Sequence, residues 1–291
     1  MIACVERNMD YPYPSKENKP AGRAPQSAAR SSERHTQQSA QHPFAPYHGL
    51  ARIYDRVVGD ALFPDIWDSF QRSLKVFGIR FKSAADVGCG TGTFLRNLIR
   101  QHHLARVYGV DRSPAMLRVA AGKNQGGAVR LMHGHITDFC LPGRVDLITC
   151  NGDTLNYLLS ARQLFRALDR CRVNLTPGGH LLFDLITGGR MRGPRSTVIQ
   201  DIHLPDAASR WTVTTDPRRN FSVVEIRSLF PTSAGTIRRE TEVHIQRWYP
   251  VSTIRTLLHK AGLTLRGMLD MGTHQPAGKT STWVKFIARK I

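Results

Sequence analysis

The chain of 291 residues has few acidic side chains, few cysteines and no long apolar run. A membrane-spanning helix needs about 18 consecutive apolar residues, and no such stretch occurs, so we expect no membrane partner. The five cysteines are scattered and show no CxxC or CxH spacing, so we expect reduced thiols and no metal site. The charged start, MIACVERNMDYP, lacks the apolar segment of a signal peptide. These absences predict a cytoplasmic protein.

The shortage of acidic residues leaves a large positive charge. The 41 lysines and arginines against 22 aspartates and glutamates give +19. The first 47 residues contain six basic and four acidic side chains, so almost all of the excess lies in the remainder. Such a charge attracts polyanions, and nucleic acid is therefore an alternative partner. No run of five like charges occurs, which favours the simpler interpretation of a solvated, arginine-rich surface.

Composition and periodicity divide the chain into five regions. Residues 1–46 are rich in Pro, Ser, Gln and charge and are predicted to be a disordered tail. Residues 47–82 have helical spacing of apolar side chains and predict an N-terminal helical cap. Strands and helices alternate over residues 83–189, which predicts an α/β core with a mostly parallel sheet and helices on both faces. Residues 190–248 alternate at period two and predict an antiparallel insertion of about three strands after strand five. Residues 249–291 complete the core sheet.

A glycine-rich loop follows the first predicted core strand in the sequence DVGCGTGTF. Its glycines alternate with other residues: Gly88, Gly90 and Gly92. A dinucleotide loop requires GxGxxG, and Thr93 occupies the place of its last glycine. Asp111 ends the next predicted strand, where a carboxylate can accept hydrogen bonds from ribose hydroxyls. NAD and S-adenosylmethionine (SAM) both carry such a ribose, so Asp111 alone does not distinguish them.

The DxGxGxG arrangement that begins at Asp86 resembles motif I of class I SAM-dependent methyltransferases. The resemblance covers most of residues 47–291 and is greatest to small-molecule enzymes, the sugar N-methyltransferases and glycine N-methyltransferase-like proteins. ARIYDRVVGDALFPDIWDSF is similar to their cap, LITCNGDTLNYL to their segment after strand four, and LTPGGHLLFDL to their strand five. The resemblance implies a Rossmann-like, seven-stranded sheet and SAM as the cofactor.

The resemblance also implies the cofactor contacts. In these enzymes the glycine loop lies beneath the methionine part of SAM, with the motif I aspartate near its ammonium. The sequence LMHGHITDF departs from the usual G-D-M-x-D-F, because His135 and Ile136 replace the pair that contacts adenine. An imidazole nitrogen can accept the adenine hydrogen bond instead, or His135 is an ordinary loop residue. The predicted cofactor contacts are Tyr54, Asp86, Gly88, Cys89, Gly90, Gly92, Asp111, Arg112, Met116, His135, Ile136, Cys150 and Asn151.

Methyl transfer depends mainly on alignment and on the exclusion of water. A base is needed only where the acceptor arrives protonated. The candidates are Asp153, Asp184 and His244. Each has a plain alternative, since Asp153 can cap a loop, Asp184 can fix the end of a strand, and His244 can face solvent.

Three functions remain open. The preferred one is methyl transfer to a small-molecule acceptor, with residues 190–248 as a substrate lid. The lid offers an apolar pocket and two cations for an anionic group, from Trp211, Phe221, Phe230, Trp248, Tyr249, Arg239 and Arg247. An RNA- or DNA-modifying methyltransferase is the alternative, but no N-P-P-Y-like motif occurs and Cys150 has no Pro-Cys partner. A SAM-binding protein without catalysis is disfavoured by the intact loop.

Overall fold

The computed structural model describes residues 46–187 and 195–291. The predicted disordered tail, except for Pro46, lies outside the described residues, as does the start of the predicted insertion. The described part contains a seven-stranded sheet and a four-stranded sheet.

The seven-stranded sheet has the order β10-β11-β5-β4-β1-β2-β3. Its strands are β1 (Ser83–Val87), β2 (Arg106–Asp111), β3 (Arg130–His133), β4 (Val145–Cys150), β5 (Leu175–Ile186), β10 (Leu263–Asp270) and β11 (Trp283–Lys290). The first five pair in parallel, whereas β11 is antiparallel to both β5 and β10 because it follows β10 without a crossover helix. The predicted α/β fold with a mostly parallel sheet of seven strands is confirmed.

The helices that cover this sheet have clear start and stop signals. They are α1 (Asp60–Phe77), α2 (Thr93–Gln101), α3 (Pro114–Lys123), α4 (Ala161–Asn174) and α5 (Val251–Lys260). Ser113 caps α3 by accepting a hydrogen bond from the Met116 backbone, and Ser160 forms a capping box with Gln163 at α4. Because each of these two caps follows a strand of the sheet, α3 and α4 begin at its carboxyl edge.

The predicted cap is helical over most of its length. A 3-10 turn (Leu50–Arg52) and a π-helical turn (Asp55–Gly59) lead directly into α1. π-helical turns are rare in proteins, and those that do occur are often found at functional sites. This turn places Tyr54 and Asp55 at the carboxyl edge of the sheet, next to the glycine loop.

The insertion is a four-stranded antiparallel meander, one strand more than the sequence predicted. It contains β6 (Ser196–Leu204), β7 (Ala207–Asp216), β8 (Phe221–Pro231) and β9 (Ile237–Arg247). The additional strand, β6, lies at an edge and has no buried side chain, which explains its weak pattern. The inner face of the meander packs on the cap, where Trp211, Ile226 and Phe230 share one apolar cluster with Leu50 and Val58.

Candidate functional site

The glycine loop turns sharply between β1 and α2. Gly88, Gly90 and Gly92 have φ values of 76°, 53° and 74°, which favour glycine. A Cβ atom on Gly88 would lie 2.5 Å from the side chain of Thr154. A Cβ atom on Gly90 would meet nothing within 4 Å, so the backbone there borders open space. The loop therefore presents bare backbone to a cleft.

Two clefts meet at this loop. The large cleft, of ≈ 710 Å³, is lined by Tyr47, Tyr54, Val87, Gly88, Gly90, Asp111, Arg112, Met116, Gly134, His135, Ile136, Asn151, Gly152, Thr154, Tyr157 and Leu158. The small cleft, of ≈ 510 Å³, is lined by Tyr54, Asp55, Gly59, Leu62, Phe63, Ile66, Asp86, Gly88, Cys89, Gly90, Thr91, Thr93, Phe94, Asn151 and Gly152. Five residues border both clefts, and both open at the carboxyl ends of β1 and β4. Ligands bind at this edge in open α/β sheets.

Asp111 is held in a fixed orientation at the end of β2. Its Oδ2 accepts a hydrogen bond from the Gly90 backbone at 2.8 Å, and its Oδ1 accepts one from the Ser113 backbone at 2.8 Å. Burial raises the pKa of Asp111, and these two hydrogen bonds oppose the rise. A carboxylate has about four acceptor positions, so roughly two remain for hydroxyl groups in the large cleft.

Asp86 starts a buried polar chain that crosses the sheet. Its Oδ1 accepts hydrogen bonds from Thr149 at 2.7 Å and from Asn151 at 3.2 Å. Asn151 in turn accepts a hydrogen bond from Lys285 at 2.7 Å, and Lys285 forms a 3.2 Å ion pair with Asp184. Burial raises the pKa of Asp86 to about 7, although Thr149 and the Lys285 charge act in the opposite direction. The chain fixes Asn151, which borders both clefts.

Lys285 was not among the site residues predicted from the sequence. It lies on β11 directly opposite Asp184 on β5, and neither side chain is exposed. A signal was present, because a lysine interrupts the otherwise apolar run of the strand WVKFIARK. Its partner is 101 residues away in sequence, so the pair itself was not visible.

The candidate bases Asp184 and Asp153 line neither cleft. Asp184 lies outside both clefts, where its carboxylate accepts hydrogen bonds from the Gly152 and Asp153 backbones and from Trp283 as well as the Lys285 ion pair. These bonds favour the alternative in which Asp184 fixes the end of its strand. Asp153 also lines neither cleft and precedes the 3-10 turn Thr154–Tyr157 with a φ of 54°. This position favours its alternative role at a loop.

His244 is completely buried instead of facing solvent. Its Nδ1 lies 2.9 Å from the Tyr157 hydroxyl, and its Nε2 lies 3.1 Å from Oε2 of Glu242. The Tyr157 hydroxyl is also 2.7 Å from that of Tyr47, and both tyrosines line the large cleft. Burial lowers the pKa of His244, and Glu242 opposes this. The sequence identified the histidine but neither of its two hydrogen-bond partners, Tyr157 and Glu242.

The remaining predicted cofactor contacts divide between the clefts. Tyr54 and Asn151 border both clefts, whereas Asp86 and Cys89 line the small one. Gly92 and Cys150 line neither, because Gly92 caps α2 and Cys150 is fully buried at the end of β4. Those found on the wall of the large cleft are Gly88, Gly90, Asp111, Arg112, Met116, His135 and Ile136.

The hydrogen bonds of His135 change its expected role. The Thr137 backbone donates to Nδ1 at 3.3 Å, and the Thr137 hydroxyl lies 2.8 Å from the same nitrogen. Because Nδ1 accepts, the proton of the neutral ring is on Nε2. The free edge of His135 is therefore a donor, not the acceptor expected for an adenine amino group.

The aromatic residues expected to form a lid pocket lie elsewhere. Trp211, Phe230, Trp248 and Tyr249 are buried, and none of them lines either cleft. Arg247 donates to the Leu159 carbonyl at 2.7 Å and lies over the rings of Phe221 and Tyr249, while Arg239 is exposed.

Within residues 46–187 and 195–291, no group of three or more metal-ligating side chains occurs. No helix of that part is long and apolar enough to cross a membrane.

The sheet order, the glycine loop and Asp111 define the class I methyltransferase fold, and the comparisons with known proteins agree. Residues 84–179 match the family model of the methyltransferase domain. A protein of Geobacillus sp. (strain WCH70) with a provisional methyltransferase name is 28% identical over 248 residues, covering 84% of this chain and 99% of the relative. The crystal structure of an S-adenosylmethionine-dependent methyltransferase from Clostridium acetobutylicum superposes with a TM-score of 0.72 at 21% identity, covering 84% of this chain and 98% of that one.

A more local similarity concerns an enzyme with a named acceptor. The dTDP-3-amino-3,6-dideoxy-alpha-D-glucopyranose N,N-dimethyltransferase of Streptomyces fradiae is 34% identical over 97 residues, which is 33% of this chain and 36% of the relative. The fold of this chain is therefore that of the class I methyltransferases, and residues 84–179 are similar to their methyltransferase domain.

Proposed function

We propose that this protein transfers a methyl group from SAM to a small-molecule acceptor. The observation that carries the proposal is the meeting of the two clefts at the glycine loop. The large cleft is suited to the nucleoside of a cofactor, and the small cleft shares five lining residues with it and is bordered by the cap. Bound SAM supplies a methyl group activated by a positively charged sulfur.

The residues of the large cleft fit the adenosine part of SAM. Asp111 has acceptor positions left for the ribose hydroxyls, while Met116 and Ile136 provide buried apolar contact for a flat base. The open space above Gly90 lets a ligand approach the backbone closely. In the small cleft, Asp86 provides a carboxylate for the methionine ammonium.

The side chains that surround the clefts favour a small acceptor. Tyr47 and Tyr54 of the cap and Tyr157 after β4 surround the large cleft, and α1 borders the small one through Phe63 and Ile66. We further propose that the insertion acts as a lid by holding this cap, which it contacts through Glu242. The relative from Streptomyces fradiae, whose name specifies an amino sugar nucleotide, supports an acceptor of modest size.

A methyl-transfer assay with labelled SAM tests the acceptor class. The full chain is incubated with cell extract divided into small-molecule and nucleic-acid fractions, with an Asp111→Ala variant as the inactive control. We expect label in the small-molecule fraction only. Label confined to RNA or DNA would refute the proposal and favour the alternative suggested by the charge of +19. A calorimetric titration in which NADH binds and SAM does not would refute the cofactor assignment.

A cytoplasmic location is part of the same proposal. It is supported by the described cysteines, Cys89, Cys140, Cys150 and Cys171, which are all free.

A further inference from the structure

Building on the proposed function, we propose that Tyr157, His244 and Glu242 form a proton relay that deprotonates an amine acceptor in the large cleft. The Tyr157 hydroxyl is the end of the relay that faces the acceptor, because Tyr157 lines the cleft and His244 and Glu242 do not. His244 and Glu242 lie behind it on β9, on the buried face of the insertion.

The hydrogen bonds of Glu242 set the direction of the relay. Its Oε1 accepts from the backbones of Gly49 at 2.6 Å and Leu50 at 2.9 Å, and its Oε2 accepts from the Tyr47 backbone at 2.6 Å. Burial opposes the charged form, but the bond with His244 and these backbone bonds hold the pKa of Glu242 below its usual value. An ionised carboxylate only accepts. The His244 proton is therefore on Nε2, facing Glu242.

This tautomer leaves Nδ1 of His244 as the acceptor of the Tyr157 hydroxyl proton. The groups that face the imidazole are Glu242 on its own strand, Tyr157, Tyr47 edge-on at 4.8 Å between ring centroids, and the Arg112 charge. Burial, with a smaller effect of Arg112, lowers the pKa of His244, so the ring is neutral at rest, while Glu242 favours the protonated form that the transfer creates. Burial raises the pKa of Tyr157 well above its usual value, so the phenol passes a proton on and does not ionise.

The step balances in atoms and charge. The acceptor arrives as an ammonium ion, which is the main form of an aliphatic amine at neutral pH. One N–H bond breaks, its electron pair stays on nitrogen as the nucleophile, and the proton passes to the Tyr157 oxygen. At the same time the original Tyr157 proton moves to Nδ1 of His244, forming an imidazolium that Glu242 stabilises. Tyr47, whose hydroxyl is 2.7 Å from that of Tyr157, is a positioning residue.

The relay explains features that packing alone does not require. A histidine with no exposed surface has both ring nitrogens bonded, one to a carboxylate and the other to a hydroxyl in the wall of the cleft. Tyr157 and the pair on β9 come from two regions that are 87 residues apart in sequence. An acceptor whose nucleophile arrives protonated would gain from this arrangement, and the amino group named for the Streptomyces relative is such a nucleophile.

A pH profile of methyl transfer separates the relay from a purely structural role. The probe is dTDP-3-amino-3,6-dideoxy-α-D-glucopyranose, the amino sugar named for the Streptomyces relative. For Tyr157→Phe we expect kcat to fall by about 100-fold below the pKa of the amine, since general-base catalysis contributes about 10²–10⁴-fold. The loss shrinks as pH rises, because the acceptor then deprotonates without help. For His244→Gln we expect the same loss of kcat at low pH and the same recovery as pH rises.

Tyr108→Phe is the control, since it removes the hydroxyl of a buried tyrosine on β2 that lines neither cleft. We expect less than about a threefold change in kcat at every pH, because general-base catalysis does not pass through it. A loss in Tyr157→Phe that is equal at all pH values, with affinity for S-adenosylhomocysteine unchanged, would overturn the relay while leaving the proposed function intact. A wild-type chain that methylates neither this probe nor any small-molecule fraction would overturn both.

Nitrogen-15 NMR of histidine side chains gives a readout that does not depend on turnover. The His244 signals are assigned by their absence in His244→Gln. We expect a neutral ring at pH 7 with its proton on Nε2, and a partial loss of that preference in Glu242→Gln. A proton on Nδ1 would overturn the relay whatever the acceptor is.

Discussion

The clefts have two sides that are built differently. On the core side, Asp86, the glycine loop and Asp111 lie within one strand–helix–strand unit, and backbone groups contribute much of the surface. On the insertion side, the hydrogen bonds involve side chains that are far apart in sequence. Tyr157 and His244 are separated by 87 residues, and Tyr47 and Glu242 by 195 residues. The core side thus depends on local geometry, whereas the insertion side depends on tertiary packing. Each side can be disturbed separately.

The largest expected effect is on the core side, at Lys285. In Lys285→Met, Asp184 remains buried without its cation, and removing one partner of a buried ion pair costs about 3–5 kcal/mol. Urea unfolding measures the free energy of unfolding. Lys290→Met on the same strand is the control, since Lys290 is only partly buried and donates to the Leu175 carbonyl. Equal losses in the two variants would show that the buried chain does not stabilise the core side.

Next in size is cofactor affinity at Asp111. Replacing it with alanine removes the acceptor positions for two ribose hydroxyls and releases the Gly90 backbone, so we expect affinity for SAM and S-adenosylhomocysteine to fall by about 100-fold. Isothermal titration calorimetry measures both. Asp138→Ala, at an exposed position near His135, should bind normally. A change of less than threefold at Asp111 would remove it from the cofactor site.

On the insertion side, Glu242→Gln should weaken the attachment of the cap. The variant loses the charge that accepts three backbone N–H groups, and we expect a loss of about 1–3 kcal/mol at pH 7. The folded pKa of Glu242 lies below its usual value of 4.5. The contribution of the Glu242 charge to the free energy of unfolding is therefore fully present above pH 4.5. It is lost as pH falls through the lower pKa of the folded state. Unfolding measured from pH 7 to pH 3 should show the two proteins converging, and a difference independent of pH would contradict this account.

The smallest expected effect concerns the predicted disordered tail. Removing residues 1–46 should change the free energy of unfolding by less than about 0.5 kcal/mol, because the composition of the tail offers no apolar core. Cofactor affinity should also be unchanged. A large fall in melting temperature would show that the tail packs on one of the two sides.

This contrast also explains what could be predicted from the sequence. The loop from Asp86 to Gly92 and the position of Asp111 followed from spacing, because strand, turn and helix are consecutive. Tyr157 and Glu242 were missed because no local pattern shows that β9 lies against the cap. The edge strand β6 was missed because burial, which creates the alternating pattern, is weak there. Predicting the role of Lys285 requires knowing which strand lies beside β5, and the strand order is established only when the sheet forms.

The raised pKa of Asp86 has a consequence for thermodynamic linkage. With a pKa of about 7, the carboxyl group is half protonated near neutrality. In the proposed function an ammonium binds beside it, and a nearby cation favours the ionised form. Cofactor association would then release a fraction of a proton to the medium. The apparent binding enthalpy would consequently differ between phosphate and Tris by an amount proportional to the difference between their ionisation enthalpies. The affinity would increase as pH rises from about 6 to about 7, below the range of about 7.7–8.0 in which an α-amino group loses its own proton.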